Sequence, residues 1–421
     1  MKFQTWSYHI CFPISLLFLI VSCQSPELGN GCDPGSESFQ NFYLARILFD
    51  DEREYCGSVA PNRSICEMDP LSIIQPRRWK YVSAELKKQA ALGTDGVSFE
   101  TYVQPNTGTA KWLGAILTDH EKIYAMPYNR SDIQLLDPNK NTFSTFESGT
   151  SGSALWEGAV YAPNGKIYAM PRDASQILVI NTTNNSTYFL NSPVTGVGKW
   201  RGGVLAPNGL IYGIPNTSPQ ILVIDPQTDH VRTIPSPMAS SNMWEGGVLA
   251  PNGKIYAFPV DIDLIFVLDP YSERTYTIPS TKSGLGKWRH GVVTSDGKLV
   301  GIPSNDSDFI FLDPKNDSVT LQVSPIGGTG KWRGGIFTAD GRIIGIPADI
   351  PNIIAIDPIT LTYTSTDTGI GTGNKWGDGV LSPNGKIMAV PHTNDLVLSI
   401  NPGSKGRICK NLLLSYYWNV Y

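Results

Sequence analysis

Trp112, Trp156, Trp200, Trp244, Trp288, Trp332 and Trp376 follow one another at a constant step of 44 residues, with no insertion or deletion. Units in fixed register, each too small to bury a core alone, must stack on their neighbours. A period of this length holds four short strands and their turns, the size of one propeller blade. The repeat therefore predicts an all-β chain, a seven-bladed β-propeller of four-stranded blades.

The third copy shows how a blade is encoded. Trp200 to Ala206 is a first strand, and Pro207-Asn208-Gly209 turns the chain back, with Asn-Gly supplying the positive φ of tight hairpins. Leu210 to Pro215 is a second strand, Ile221 to Ile224 a third, and His230 to Ile234 a fourth and more polar one. Asp225-Pro226 sets the turn between the last two through the fixed φ of proline, and the same turn recurs at Asp137, Asp269, Asp313 and Asp357. The nearly continuous apolar third strand suits burial on both faces between blades. Glycines after the tryptophans suit an inner strand where many backbones crowd one axis. The seventh copy supplies only three strands. Val97 to Val103 lies in fourth-strand register, so the N-terminal side is expected to close the ring, with Arg407 to Leu414 in the tail as the competing strand.

Ahead of the repeats, Lys2, an apolar run of 12 residues from Ile10 to Val21, and Ser22-Cys23 form a secretory leader too short to span a bilayer. Ile20-Val21-Ser22-Cys23 resembles a bacterial lipobox, which makes Cys23 the expected lipidation site; ordinary secretion is the alternative. The expected division is a lipoprotein signal peptide at 1–22, a leader segment at 23–92, the propeller at 93–402 and a tail at 403–421. Phe39 to Leu48 and Ser83 to Leu92 look helical, so the leader segment is expected to be small, partly helical and disulfide-bearing. Export places Cys32, Cys56, Cys66 and Cys409 in an oxidising compartment. Three pairings are open to them, Cys32–Cys56 with Cys66–Cys409 being favoured and free thiols the alternative. A formal net charge of −4, or −5 without the leader, excludes a general nucleic-acid footprint and a polybasic membrane patch. Contact with a membrane is then expected only through the lipid anchor.

The 44-residue period, the Pro-Asn-Gly-Lys-Ile-Tyr hairpin at 163–168 and 251–256 and the Asp-Pro turn resemble the seven-bladed propeller class that includes the YVTN surface repeats and the virginiamycin B lyase-like propellers. The resemblance covers about Val97 to Pro402 and implies the fold. Lyase members of that class use a blade-specific His and a metal, and no aligned His cluster occurs here. Cys23-Gln24-Ser25 and the segment with Cys32 look like the start of a spirochaete-type lipoprotein.

In such a blade the turn into the first strand and the loop between strands two and three open on one face. Residues flanking the tryptophans and the loops after Pro127, Pro171, Pro215, Pro259, Pro303, Pro347 and Pro391 should then surround one funnel. Lys199-Trp200-Arg201, Lys287-Trp288-Arg289 and Lys331-Trp332-Arg333 are cationic there, whereas Trp156-Glu157 and Trp244-Glu245 bring acids. Such a face suits a carboxylate or a sugar, through guanidinium forks and aromatic stacking. The alternative makes each Trp an inter-blade wedge, with Glu157–Arg201 and Glu245–Arg289 paired between adjacent blades and Arg333 left without a Glu neighbour. His290 and Asp378 replace the first glycine of their doublets, and departures from a repeat are where function tends to sit. The ligand-binding candidates are accordingly Trp200, Arg201, Glu245, Trp288, Arg289, His290, Trp332, Arg333 and Asp378. Acid- and amide-rich loops such as Asn305 to Asp308 offer oxygens but no EF-hand or RTX spacing, and no nucleophile, dinucleotide or metalloprotease motif is present. No catalytic residue, metal or cofactor is assigned. The expected protein is a monomeric, lipid-anchored envelope module that binds a protein or glycan, with a propeller lyase or hydrolase and a purely structural repeat protein as alternatives.

Overall fold

A computed structural model describes residues 96–403 other than 295, 339, 340 and 383. Those residues form seven four-stranded antiparallel sheets, each strand hydrogen-bonded to the next in sequence except at the ring closure. The third copy runs Trp200–Leu205, Ile211–Pro215, Gln220–Asp225 and His230–Pro235, within a residue or so of the boundaries its turns predict. In the last blade, Trp376–Leu381, Ile387–Pro391 and Leu396–Asn401 are completed by Ser98–Val103, with Ser98 opposite Asn401 and Val103 opposite Leu396. The N-terminal strand closes the ring and removes an open edge. Cys23, Cys32, Cys56, Cys66, Cys409, both expected leader helices and the competing tail strand lie outside the described residues. No helix among the described residues is long and apolar enough to cross a membrane.

The core is a series of seams between blades. Trp200 packs with Val160, Tyr168 and Met170 of the blade before it and with Ile211 and Leu222 of its own. The seven repeat tryptophans are completely buried, and each indole Nε1–H donates to a backbone carbonyl 20 residues on, as Trp200 does to Gln220 at 2.7 Å. The indole is a wedge that also satisfies the loop entering the third strand.

A backbone ring ties the Trp-side face together. In blade one the Tyr128 amide donates to the Lys111 carbonyl, and the Tyr128 carbonyl accepts from the Leu155 amide of the next blade, both at 2.9 Å. The same two steps pass through Arg172, Asn216, Val260, Ser304, Ala348 and His392, ending where the Lys111 amide donates to His392. Five of the residues preceding a Trp are buried lysines: Lys111, Lys199, Lys287, Lys331 and Lys375. Their ammonium groups cap loop carbonyls, Lys199 Nζ donating to Ala174 at 2.8 Å, Gly196 at 2.9 Å and Arg172 at 3.1 Å. These lysines staple loops between blades and do not present charge to a ligand.

A bulge interrupts most inner strands just after the Trp, for example between Trp200 and Gly203. It puts the second residue past the Trp at positive φ, 77° at Gly202, and redirects the first residue past it. A Cβ on Gly158 would stand 2.8 Å from the Gly202 Cα, so this position also needs the missing side chain for close approach.

Candidate functional site

The bulge brings the residues immediately after the tryptophans onto one face at the axis: Leu113, Glu157, Arg201, Glu245, Arg289, Arg333 and Gly377. The hydrogen-bonded ring supplies Arg172 from the loop after Pro171. Four arginines and two glutamates form one network. Glu245 takes both oxygens to Arg289 Nη1, at 2.8 and 3.0 Å, and one to Arg201 Nη1 at 3.1 Å. Glu157 lies 3.3 Å from Arg201 Nε, 3.2 Å from Arg172 Nε and 3.3 Å from Arg333 Nη2. The last contact crosses the axis, joining blade six to blade two.

Arg333, expected to lack an acidic neighbour, thus reaches Glu157 across the ring and donates to Asn374 Oδ1 at 3.0 Å. The expected Glu157–Arg201 and Glu245–Arg289 contacts both form. Trp200, Trp288 and Trp332 stand elsewhere: their rings have no face open to solvent and offer no stacking platform, a correction to their place among the ligand candidates that follows from their role as wedges.

Burial alone would push the Glu245 carboxyl up, but the fields of Arg289, Arg201 and Arg333 outweigh it and hold the pKa well below the ordinary value. Burial lowers Arg333, and the nearby Arg289 adds to the effect. Beside the network His392 is buried; its ring nitrogen Nδ1 donates to the Trp112 carbonyl at 3.0 Å, and Tyr128 packs edge-on against it at 5.5 Å. Burial and then Arg333 push the His392 pKa down to about 4 from 6.5. The folded state therefore holds a neutral imidazole that the unfolded chain protonates below pH 6.5. Its contribution to stability is complete above that pH and is lost as pH falls towards 4, by about 3 kcal/mol at most. Urea midpoints at pH 7.5 and pH 5 are expected to differ in wild type and to converge in His392→Gln.

His290 and Asp378 lie deeper on the axis. They flank Gly334, whose added Cβ would stand 3.6 Å from Asp378 Oδ1 and 3.7 Å from His290 Cβ. Asp378 accepts from the Gly379 amide at 2.8 Å, and burial raises its pKa. His290 keeps the left-handed backbone of the glycines it replaces, with φ 54°, which strains the fold by about 1 kcal/mol. Both line a cavity of about 250 Å³ that opens toward the hairpin side, with walls of Ile116, Val160, Val248, Val292, Ile336 and Val380. The sequence candidates thus divide between two places: Arg201, Glu245, Arg289 and Arg333 on the Trp side, His290 and Asp378 in the axial cavity.

Arg172, Tyr128 and His392 were not singled out from sequence. Their signal was their common place, one residue after the conserved-register proline of each repeat. The acidic loops are internally occupied: Lys282 bridges Asp306 at 2.7 Å and also Asp308, and Asp261 accepts from the Gly286 amide at 2.7 Å. Among the described residues no three His, Cys, Asp or Glu side chains gather in a way that could hold a metal ion.

No protein-family model matches the chain, and no curated protein matches it in sequence. Its fold superimposes on solved propellers. A catalytically inactive virginiamycin B lyase from Staphylococcus aureus, solved with quinupristin, matches with a TM-score of 0.64 and 12% identity over 72% of this chain and 99% of that one. YCF48 bound to a D1 peptide matches at 0.57 and 14% over 74% of this chain and 97% of that one. The extracellular domain of a hybrid two-component system from B. thetaiotaomicron matches at 0.58 and 8% over 72% of this chain and 42% of that one. At such identities the likeness is one of architecture, and the chain is a seven-bladed β-propeller of the kind to which the virginiamycin B lyase fold also belongs.

Proposed function

We propose that this protein is a binding or scaffolding module, held outside the cytoplasm by a lipid on Cys23, whose protein or glycan partner docks on the Arg/Glu face. The carrying observation is the asymmetry of that face. Seven equivalent positions follow the tryptophans, yet charge occupies only blades two to six, gathered into one network with 10–25% of each arginine side chain open between Arg333, Arg201 and Arg289. A repeat maintained for packing alone has no need of this arrangement. Propellers of similar fold include one solved with a peptide and one from the extracellular part of a sensor, which suits this reading.

The test uses the full-length protein in its native membrane. A partner cross-linked to wild type is expected to be lost from Arg289→Ala and kept by Lys254→Ala, which alters the hairpin side. Equal capture by both variants would remove this face from the proposal. Labelling with a fatty-acid probe is expected to disappear in Cys23→Ala; persistence would mean that Cys23 is not the anchor.

The axial cavity supports a second reading, a propeller lyase or hydrolase using His290 and Asp378, because these two groups share one chamber. Turnover of a candidate substrate that survives His290→Gly and Asp378→Gly would dismiss it.

A further inference from the structure

The Trp-side network is unbalanced. Arg172, Arg201, Arg289 and Arg333 bring four positive charges, and Glu157 and Glu245 bring two negative ones. Asp173 reaches one arginine of the network, Arg172, at 3.5 Å, accepts from the Gly198 amide at 2.7 Å, and is a quarter exposed. Asp378 lines the cavity, and burial raises its pKa against the opposing fields of His290 and Arg333. His392, its pKa pushed down to about 4, is neutral at physiological pH. Arginine does not shed its proton to relieve such an excess. Placing uncompensated cations in a mostly buried site costs several kcal/mol unless an anion joins them.

A second observation points the same way. The Nε atoms of Arg172, Arg201 and Arg333 are buried and have no hydrogen-bond acceptor; the nearby carboxylates lie at 3.2, 3.3 and 3.9 Å but out of line. Three guanidinium groups whose Nε–H finds no aligned acceptor, on side chains that stay 10–19% exposed and with positive charge in excess, suit the fork geometry by which such groups hold a carboxylate.

We propose that these four arginines form a seat for a carboxylate presented by an acidic peptide segment of a protein partner. The peptide is favoured over an acidic sugar because recognition of a sugar ring draws on an open aromatic face. The seven indoles of the repeats are buried, and the Tyr128 ring is covered by the Arg172 guanidinium at 5.4 Å. The assignment rests on the reading of this face as the docking surface and adds the chemistry of what docks.

The test measures binding of acetate, succinate, a hexaglutamate peptide and a hexagalacturonate oligosaccharide to the full-length protein at fixed ionic strength. Hexaglutamate is expected to bind saturably, raise the thermal midpoint, and weaken at least tenfold in Arg289→Gln and in Arg333→Gln. Without ligand, Arg333→Gln is expected to fold with near wild-type stability because it removes an under-compensated charge; this separates lost binding from lost folding. No saturable binding of any carboxylate to folded wild type would overturn the proposal, as would equal hexaglutamate affinity in both variants. Binding of hexagalacturonate with no binding of hexaglutamate would overturn the peptide assignment. If carboxylates fail to bind but membrane capture still depends on Arg289, the docking surface survives and the carboxylate seat falls. If carboxylates bind but capture ignores Arg289, the reverse holds.

Discussion

Trp200→Ala is expected to destabilise the propeller by about 4 kcal/mol, seen as a large fall in the urea midpoint. The indole is completely buried in the seam between blades two and three, so alanine leaves a cavity lined by Val160, Tyr168, Met170, Ile211 and Leu222. It also strips the Gln220 carbonyl of its donor at 2.7 Å. Trp200→Phe fills part of the space and restores no donor, so an intermediate loss is expected. A midpoint unchanged by Trp200→Ala would mean that the indole is not a wedge.

The second large effect is expected from Glu245→Gln. The carboxylate is almost wholly buried and takes hydrogen bonds from Arg201 and Arg289, with Arg333 at 3.9 Å. Removing its charge while those cations stay in place is expected to cost about 3–5 kcal/mol. The pH dependence has a definite sign. Because the folded pKa lies below the ordinary value of 4.5, the contribution is fully present above that pH and is lost as pH falls further. Wild type should therefore lose stability steeply below pH 4.5, and the variant should lack that part of the acid limb. Parallel curves for the two proteins would show that Glu245 is not held ionised by its arginines.

What the sequence revealed and what it hid follow from one distinction. Turn chemistry and strand period act between residues close in the chain, so the Pro-Asn-Gly and Asp-Pro turns located the strands of each blade. Register did the same for the closing strand, since Val97 to Val103 occupies the position of a missing fourth strand and Ser98–Val103 fills it. The charge network was visible only in part. Arg201 and Arg289 are one repeat from their acids, and that spacing is apparent in a linear chain. Arg333 meets Glu157 across the axis, four repeats away, which a comparison of adjacent blades does not reveal. The lysines before the tryptophans misled because a run of Lys-Trp-Arg looks cationic, whereas loop carbonyls close over each ammonium group. The positive φ of His290 has no local sequence signal either: histidine there inherits a backbone shape set by the bulge that its glycine counterparts need.

The ladder joining Ser98–Val103 to Leu396–Asn401 has a mechanical consequence. Ser98 opposes Asn401, so the chain enters and leaves the rosette at the same rung. Tension applied between Ser98 and Asn401 loads that rung first, and the hydrogen bonds part singly from the outside inward, as a zip does. A propeller pulled between these two residues should open at this clasp at low force, while the remaining six sheets hold.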